Sequence, residues 1–183
     1  MGVVMGVDPS INSTGVCVNA GGEHKYYIIS SKLTKKMKSF DNQYVKILNY
    51  DKADGKGLEY SEKEGCKFNN IYNICMMLEQ VVKEHNPDMI VMEGVSYGSV
   101  GSAALVDLSF LNSAIRMMLK MNNVEFKIVS PTSLKKFACA NGQAEKDIII
   151  DAWKRLDPNI KNINEIKIDD LADSYFLSHY IDC

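Results

Sequence analysis

The order of strand-like and helix-like segments is the feature that most constrains the fold of this chain. Val3–Asp8 is a short apolar run that ends in an acid before a Pro-Ser turn, which is typical of a buried strand. Thr14–Ala20 and His24–Ser31 flank the dipeptide Gly21-Gly22, which favours a hairpin. The chain is therefore predicted to open with three antiparallel strands.

A polar, lysine-rich stretch follows at about 32–67, and we interpret it as an insertion in which only Phe40–Leu48 suggests an element. From Phe68 the apolar residues recur at helical spacing until Asn86-Pro87 ends the helix. The later predicted elements are a buried strand at Asp88–Met92, a helix at about Ala103–Met121, a strand at Val124–Val129, a helical turn from Pro131, and helices at about Glu145–Leu156 and Asp169–His179. This order predicts one α/β domain over residues 1–183, with a mixed five-stranded sheet, three strands antiparallel and then two parallel, flanked by helices.

Composition favours a single cytoplasmic domain. The 183 residues are enough for one hydrophobic core and few for two. The N-terminus lacks the features of a signal peptide, and no apolar stretch is long enough to cross a bilayer, so no membrane partner is expected. Five cysteines without a CxxC pair favour reduced thiols over a disulfide framework or a zinc site. The net charge of −2 is neutral evidence on nucleic acid binding, because a carboxylate site can offset a local basic face.

Acidic residues stand where the predicted topology would bring them together. Asp8 ends the first strand and Glu93 ends the fourth, and a right-handed crossover would lay these strands side by side and parallel. Asp170 and Asp173 are three residues apart and share one face of the last helix. Each acid alone has an ordinary explanation as a turn former, a strand end or a complement to a helix dipole. Their joint placement favours a functional site.

Converging carboxylates suit metal-dependent phosphodiester hydrolysis. The reaction needs an activated water and neutralised charge on the phosphoryl and leaving oxygens, which two Mg²⁺ ions about 4 Å apart can supply. Mg²⁺ prefers carboxylate and phosphate oxygens, and Mn²⁺ is expected to substitute for it. The Ser, Cys and His residues of this sequence have no comparable set of partners, so two Mg²⁺ ions are the predicted cofactors.

The motifs around these acids resemble those of the RuvC family within the RNase H-like superfamily. Gly-Val-Asp-Pro-Ser at 6–10, followed by Gly15, resembles the opening strand and hairpin of that family, and Ile-Val-Met-Glu at 90–93 resembles its second acidic motif. Asp-Leu-Ala-Asp-Ser-Tyr at 170–175 resembles its closing helix motif, and the lysine-containing segment at 134–146 resembles its basic segment. The motifs occur in order over most of the chain outside 32–67, and that insertion is more like those of viral or phage relatives.

The resemblance implies an endonuclease that resolves four-way (Holliday) DNA junctions by paired symmetric nicks, leaving 5′-phosphate and 3′-hydroxyl ends. The implied catalytic metal ligands are Asp8, Glu93, Asp170 and Asp173, although Asp169 competes with Asp170 for that assignment. Lys146 would stabilise charge on the phosphate. The further DNA-binding candidates are Lys135 and Lys136 of the basic segment, Tyr97 as a base-stacking wedge, and Lys35 and Lys36 of the insertion.

Junction symmetry implies a homodimer. The candidate dimer surface is the face of the helix at 103–121 that carries Leu108, Leu111, Ile115, Met118 and Leu119, unless this face packs on its own sheet. One functional alternative keeps the fold and the acids but cuts flaps, other branched DNA or RNA–DNA hybrids. Another is a phosphate-binding fold of the actin-like or sugar-kinase type, for which 183 residues are too few.

Overall fold

The computed structural model of the protein describes residues 2–32, 44–95, 103–160 and 169–181. Its strands are β1 (Val3–Asp8), β2 (Ser13–Ala20), β3 (Glu23–Ser30), β4 (Val45–Asn49), β5 (Met89–Glu93) and β6 (Phe126–Val129). Its helices are α1 (Tyr60–His85), α2 (Ala103–Met121), α3 (Pro131–Cys139), α4 (Lys146–Leu156) and α5 (Asp169–Ser178), with a short 3₁₀ turn at Pro158–Ile160.

The strands form one mixed sheet in the order β4-β3-β2-β1-β5-β6. The first three strands are antiparallel, and β5 and β6 extend the sheet in parallel from β1. The predicted α/β fold, with antiparallel strands followed by parallel strands and flanking helices, is therefore confirmed. The predicted count of five strands is wrong, because β4 adds a sixth at the far edge.

Strand β4 comes from the polar stretch that we interpreted as an insertion, and it pairs in parallel with β3. Only Val45 of this edge strand is fully buried, so its apolar pattern is too short to predict a strand from the sequence. Helix α1 likewise begins at Tyr60, well before Phe68. Its first two turns are largely exposed, so the sequence there has no apolar period that would predict a helix. The helix start is capped instead by the Glu59 N–H, which donates to the Glu62 carboxylate at 3.1 Å.

Helices cover both faces of the sheet. Alternate residues of β3 show the division, since Tyr26 and Ile28 pack toward α3, α4 and α5, whereas Tyr27 and Ile29 pack toward α1 and α2. Cys17 and Cys75 are buried in these two layers, and the four cysteines within the described ranges form no disulfide. Within the described residues, none of the helices has the length and apolar character that crossing a membrane requires.

Helix α5 lies directly on β1 and β2 because both strands carry a glycine beneath it. A Cβ on Gly6 would lie 1.9 Å from the Ser174 carbonyl oxygen, and a Cβ on Gly15 would lie 2.2 Å from the Asp170 carbonyl oxygen. The missing side chains therefore allow the helix backbone to touch the strand backbone. This close approach sets how far the first turn of α5 lies from the end of β1.

Candidate active site

The register of the sheet brings two acids of the sequence prediction together. Val7 pairs with Met92 in the parallel ladder between β1 and β5, so Asp8 and Glu93 are the next residues on neighbouring strands. Asp8 is only 8% exposed, and its carboxyl donates a hydrogen bond to the Glu93 carboxylate. The ends of these two strands thus form one edge of the site.

Helix α5 brings the other two acids to the same edge. Asp170 and Asp173 lie near the start of α5, partly buried, where the Glu93 charge acts on both of them and their own charges act on Asp8. The Ser13 hydroxyl at the start of β2 donates a hydrogen bond to the Asp170 carboxylate and fixes its position. All four acids predicted from the motifs are therefore close neighbours in the fold.

Burial and mutual repulsion make this acid cluster costly to ionise. Burial raises the pKa of Asp8 well above its usual range, and the charges of the other three acids raise it further. Burial also raises the pKa of Glu93, the pKa of Asp170 to about 6 and the pKa of Asp173 to about 7. A cluster of buried carboxyls with elevated pKa values is a site whose charged form a bound cation would stabilise.

Two lysines lie beside the acids. Lys146, at the start of α4, forms an ion pair with Asp169 and acts electrostatically on Asp170 and Asp173. Lys135, on α3, is partly buried and opposes the rise in the Glu93 pKa. Both lysines that the resemblance singled out therefore lie near the acids.

The structure also separates Asp169 from Asp170, which the sequence left open. The Asp169 carboxylate points to Lys146, whereas the Asp170 carboxylate accepts the Ser13 hydroxyl and belongs to the buried cluster. Ser13 and the packing role of Gly6 were missed in the sequence. Both residues are recognised only from their position beneath the last helix, and that position depends on tertiary packing.

The carboxylates of the site suit Mg²⁺ but do not surround an ion by themselves. All four groups offer hard carboxylate oxygens, and a bound cation would offset the cost of ionising them, which comes first from burial and then from their mutual repulsion. Within the described ranges, no three Asp, Glu, His or Cys side chains are arranged to surround one ion by themselves. Mg²⁺ commonly takes one or two protein carboxylates and completes its shell with water and substrate phosphate oxygens, so the cluster suits an ion shared with substrate.

Other candidates lie elsewhere. Lys136 is exposed on α3 next to Lys135. Tyr97, Lys35 and Lys36 lie outside the described residues, so their predicted DNA contacts stay predictions.

The elevated pKa of Asp173 predicts how the folding stability depends on pH. Between pH 3.8, the usual pKa of an aspartic acid, and pH about 7, the folded protein binds the Asp173 proton more tightly than the unfolded chain does. The stabilisation is therefore present below pH 3.8 and is lost as the pH rises to about 7. Without divalent cations, Asp173→Asn should gain about 1–3 kcal/mol in unfolding free energy over the unsubstituted protein between pH 5 and pH 8.

Urea unfolding at the two pH values measures this difference. Asp151→Asn, at an exposed position on α4, is the matched control and should show no such gain. Mg²⁺ at pH 8 should stabilise the unsubstituted protein more than Asp173→Asn. An Asp173→Asn difference that is the same at both pH values would contradict the assigned shift.

Comparisons with known proteins agree with this architecture. No family model matches the chain. The chain is 25% identical over 174 residues to the crossover junction endodeoxyribonuclease RuvC of Rickettsia felis, covering 94% of this chain and 95% of that protein. It is 27% identical over 177 residues to the protein of the same name from Orientia tsutsugamushi strain Ikeda, covering 96% and 94%.

Solved structures share the fold. Thermus thermophilus RuvC in complex with Holliday junction substrate aligns with a TM-score of 0.63 at 14% identity, over 97% of this chain and 91% of that one. The yeast mitochondrial Holliday junction resolvase Ydc2 aligns with a TM-score of 0.52 at 16% identity, over 96% and 75%. The chain is thus similar in sequence to RuvC proteins along nearly its whole length, and it shares the fold of the solved RuvC structure.

Proposed function

We propose that this protein is a metal-dependent crossover junction endodeoxyribonuclease that resolves four-way DNA junctions. The observation that carries the proposal is the meeting of Asp8, Glu93, Asp170 and Asp173 at one edge of the sheet, with Lys135 and Lys146 beside them. The relatives named above carry the same activity in their names, and the Thermus thermophilus protein with the similar fold was solved with Holliday junction substrate.

Each group has a distinct task in this proposal. Asp8, Glu93, Asp170 and Asp173 would hold the metal ions. Two bound Mg²⁺ ions would activate the attacking water and neutralise charge on the leaving 3′ oxygen. Ser13 orients Asp170 through its hydroxyl, and Asp169 holds the Lys146 ammonium beside the acids, where a phosphate would replace Asp169 as its partner. Lys135 binds the DNA backbone near Glu93.

Cleavage of end-labelled synthetic DNAs by the purified protein with Mg²⁺ tests the proposal. The panel contains a four-way junction, a flap, a linear duplex and an RNA–DNA hybrid. We expect paired symmetric nicks in the junction and much weaker cutting of the other three. The nicked strands should be sealed by a DNA ligase, because the proposed chemistry leaves 5′-phosphate and 3′-hydroxyl ends.

The other outcomes are equally informative. Preferential cutting of the flap or the hybrid would keep the metal site but assign the protein to the alternative nuclease function. Nicks that a ligase cannot seal would contradict the proposed reaction. Absence of metal-dependent cutting on all four substrates would overturn the enzymatic proposal itself.

We also propose that the protein acts as a two-fold dimer, through a different face of α2 from the one suggested by the sequence. Leu111, Ile115 and Leu119 pack into the core against the sheet, so the predicted face is wrong. The opposite face of α2 exposes four large apolar side chains at helical spacing: Val106, Phe110, Met117 and Met121, which are 52%, 56%, 66% and 77% exposed. We assign this face to a second copy because a symmetric junction needs two related active sites and exposed apolar side chains favour burial at an interface.

Sedimentation at several protein concentrations measures the oligomeric state. Phe110→Glu should shift the protein toward the monomer, because a buried charge at an apolar interface is costly. Leu156→Glu, which changes a similarly exposed apolar residue on α4, is the control and should leave the dimer intact. A protein that sediments as a monomer without any substitution would contradict the dimer but not the nuclease function.

A further inference from the structure

A second group of titratable residues lies at the opposite end of the sheet from the acids. Asn19 pairs with Val4 at the start of β1, and His24 pairs with Asn19, so both lie far along the strands from Asp8. His179 follows the last residue of α5, whose first turn carries the acidic motif. The three form a polar cluster that the nuclease mechanism does not use.

The two imidazoles face each other. Their Nε2 atoms are 3.3 Å apart. Nδ1 of His179 lies 2.9 Å from the Tyr175 carbonyl oxygen, which can only accept, so this nitrogen carries the proton. Nδ1 of His24 lies 3.2 Å from the fully buried Asp157 carboxylate, which also accepts the Tyr26 hydroxyl and the Asn159 N–H. In their neutral forms both rings therefore direct an Nε2 lone pair at the other.

Two imidazole nitrogens that face each other at this distance share either a proton or a metal ion. Two nitrogens bound at about 2.0–2.1 Å to a tetrahedral zinc ion are separated by about 3.3–3.4 Å, which matches the observed spacing. Histidines that bind metals usually donate the other ring N–H to a carboxylate or a backbone carbonyl, and Asp157 and the Tyr175 carbonyl are partners of this kind. We propose that His24 and His179 bind a divalent transition-metal ion of the zinc class, at a site separate from the catalytic acids.

A cavity beside His24 gives a metal ion one route to the histidine pair. His24 lines this cavity of about 450 Å³, together with Glu23, Lys25 and Asn159. Water that reaches the ion from the His24 side would supply the ligands that the protein does not. The Asn19 side-chain amide donates to His179 Nε2 over 3.3 Å, a long hydrogen bond that the metal displaces. With two protein nitrogens the site binds more weakly than a four-ligand structural zinc site.

Binding would connect two parts of the fold. His24 belongs to the β2–β3 hairpin, and His179 lies at the end of α5, so the ion ties the last helix to the hairpin. An ion that binds only the folded protein adds its binding free energy to the folding stability. The expected consequence is a more stable seating of α5, measurable without any nuclease substrate.

Calorimetric titration of Zn²⁺ into the full chain, with excess Mg²⁺ to occupy the acids, tests the site. We expect one Zn²⁺ per chain, lost in His24→Gln and in His179→Gln. His85→Gln is the matched control, because His85 lines the same cavity but directs Nε2 at the Tyr27 hydroxyl 2.6 Å away. Asn19→Asp places a carboxylate beside His179 and should tighten Zn²⁺ binding by about tenfold or more.

Electron paramagnetic resonance of the Cu²⁺-loaded protein identifies the ligands directly. Splitting from two nitrogens is expected at this site, whereas the catalytic acids offer only oxygen. Zn²⁺ binding that survives both histidine substitutions, or a Cu²⁺ spectrum without nitrogen splitting, would overturn the proposal. Absence of Zn²⁺ binding would also overturn the proposal. The two Nε2 atoms would then share a proton instead of a metal ion. If His24→Gln fails to fold, His179→Gln and Asn19→Asp decide the question.

Discussion

Asp8→Asn is expected to lower the cleavage rate by about 10³-fold or more while junction binding is kept or strengthened. Asp8 is the most buried acid of the cluster, and the charges of its three neighbours already oppose its ionisation. The amide keeps the size of the side chain but removes the negative charge that a metal ion needs. It also removes repulsion between the site and the DNA phosphates, so binding does not depend on this carboxylate.

Single-turnover cleavage and equilibrium binding, measured on the same four-way junction, separate these two effects. Asp151→Asn serves as the control, since it removes an exposed acid of α4 and should change neither quantity appreciably. Loss of both cleavage and binding in Asp8→Asn, accompanied by a lower unfolding midpoint, would show that Asp8 has a structural role instead. Unchanged cleavage would remove the acid cluster from the mechanism.

Gly15→Ala should cost about 2–3 kcal/mol in unfolding free energy and should also impair cleavage. The added Cβ would lie 2.2 Å from the Asp170 carbonyl oxygen and 2.5 Å from its carbonyl carbon. Both atoms are backbone, so no side-chain rotation relieves the conflict, and the first turn of α5 must move. That turn carries Asp170, and the displacement therefore reaches the acids that we propose as catalytic.

Gly65→Ala is the matched control for this substitution. Gly65 lies inside α1, where an added Cβ meets no atom within 4 Å. Alanine there should stabilise the protein by about 0.5–1 kcal/mol, because it lowers the conformational entropy that the helix loses on folding. Urea unfolding should therefore show a loss of stability for Gly15→Ala and a gain for Gly65→Ala. Junction cleavage should be impaired only in Gly15→Ala. Equal effects would mean that the contact between α5 and β2 is looser than the structure shows.

The features that were predicted correctly depend on residues close together in sequence. The Gly21-Gly22 hairpin forms where it was expected, and α2 spans Ala103–Met121, as its apolar period indicated. Wrong predictions arose where few residues are buried, so that the apolar pattern is weak, or where a helix has apolar residues on both faces. β4 buries fully only Val45, and α1 starts with exposed turns, so neither boundary left an apolar signal.

The face of α2 shows why pattern alone is insufficient. Its helix has apolar residues on opposite sides, and the spacing of each set is equally helical. Packing of Leu111 and Ile115 against the sheet leaves Phe110 and Met117 on the surface. Which set lies inside depends on the position of α2 over the strands, and this position is a tertiary property.

The sequence by itself determined which acids stand at the ends of strands and on one face of the last helix. Hydrophobic runs that end in Asp8 and Glu93 make strands with acids at their ends, and the spacing of Asp170 and Asp173 puts both on one helix face, because these outcomes follow from backbone periodicity. Only the tertiary structure decided that Ser13 orients Asp170 while Asp169 takes Lys146, and that His24 meets His179. Such contacts join segments far apart in the chain, and they form only when α5 settles on the glycines of β1 and β2.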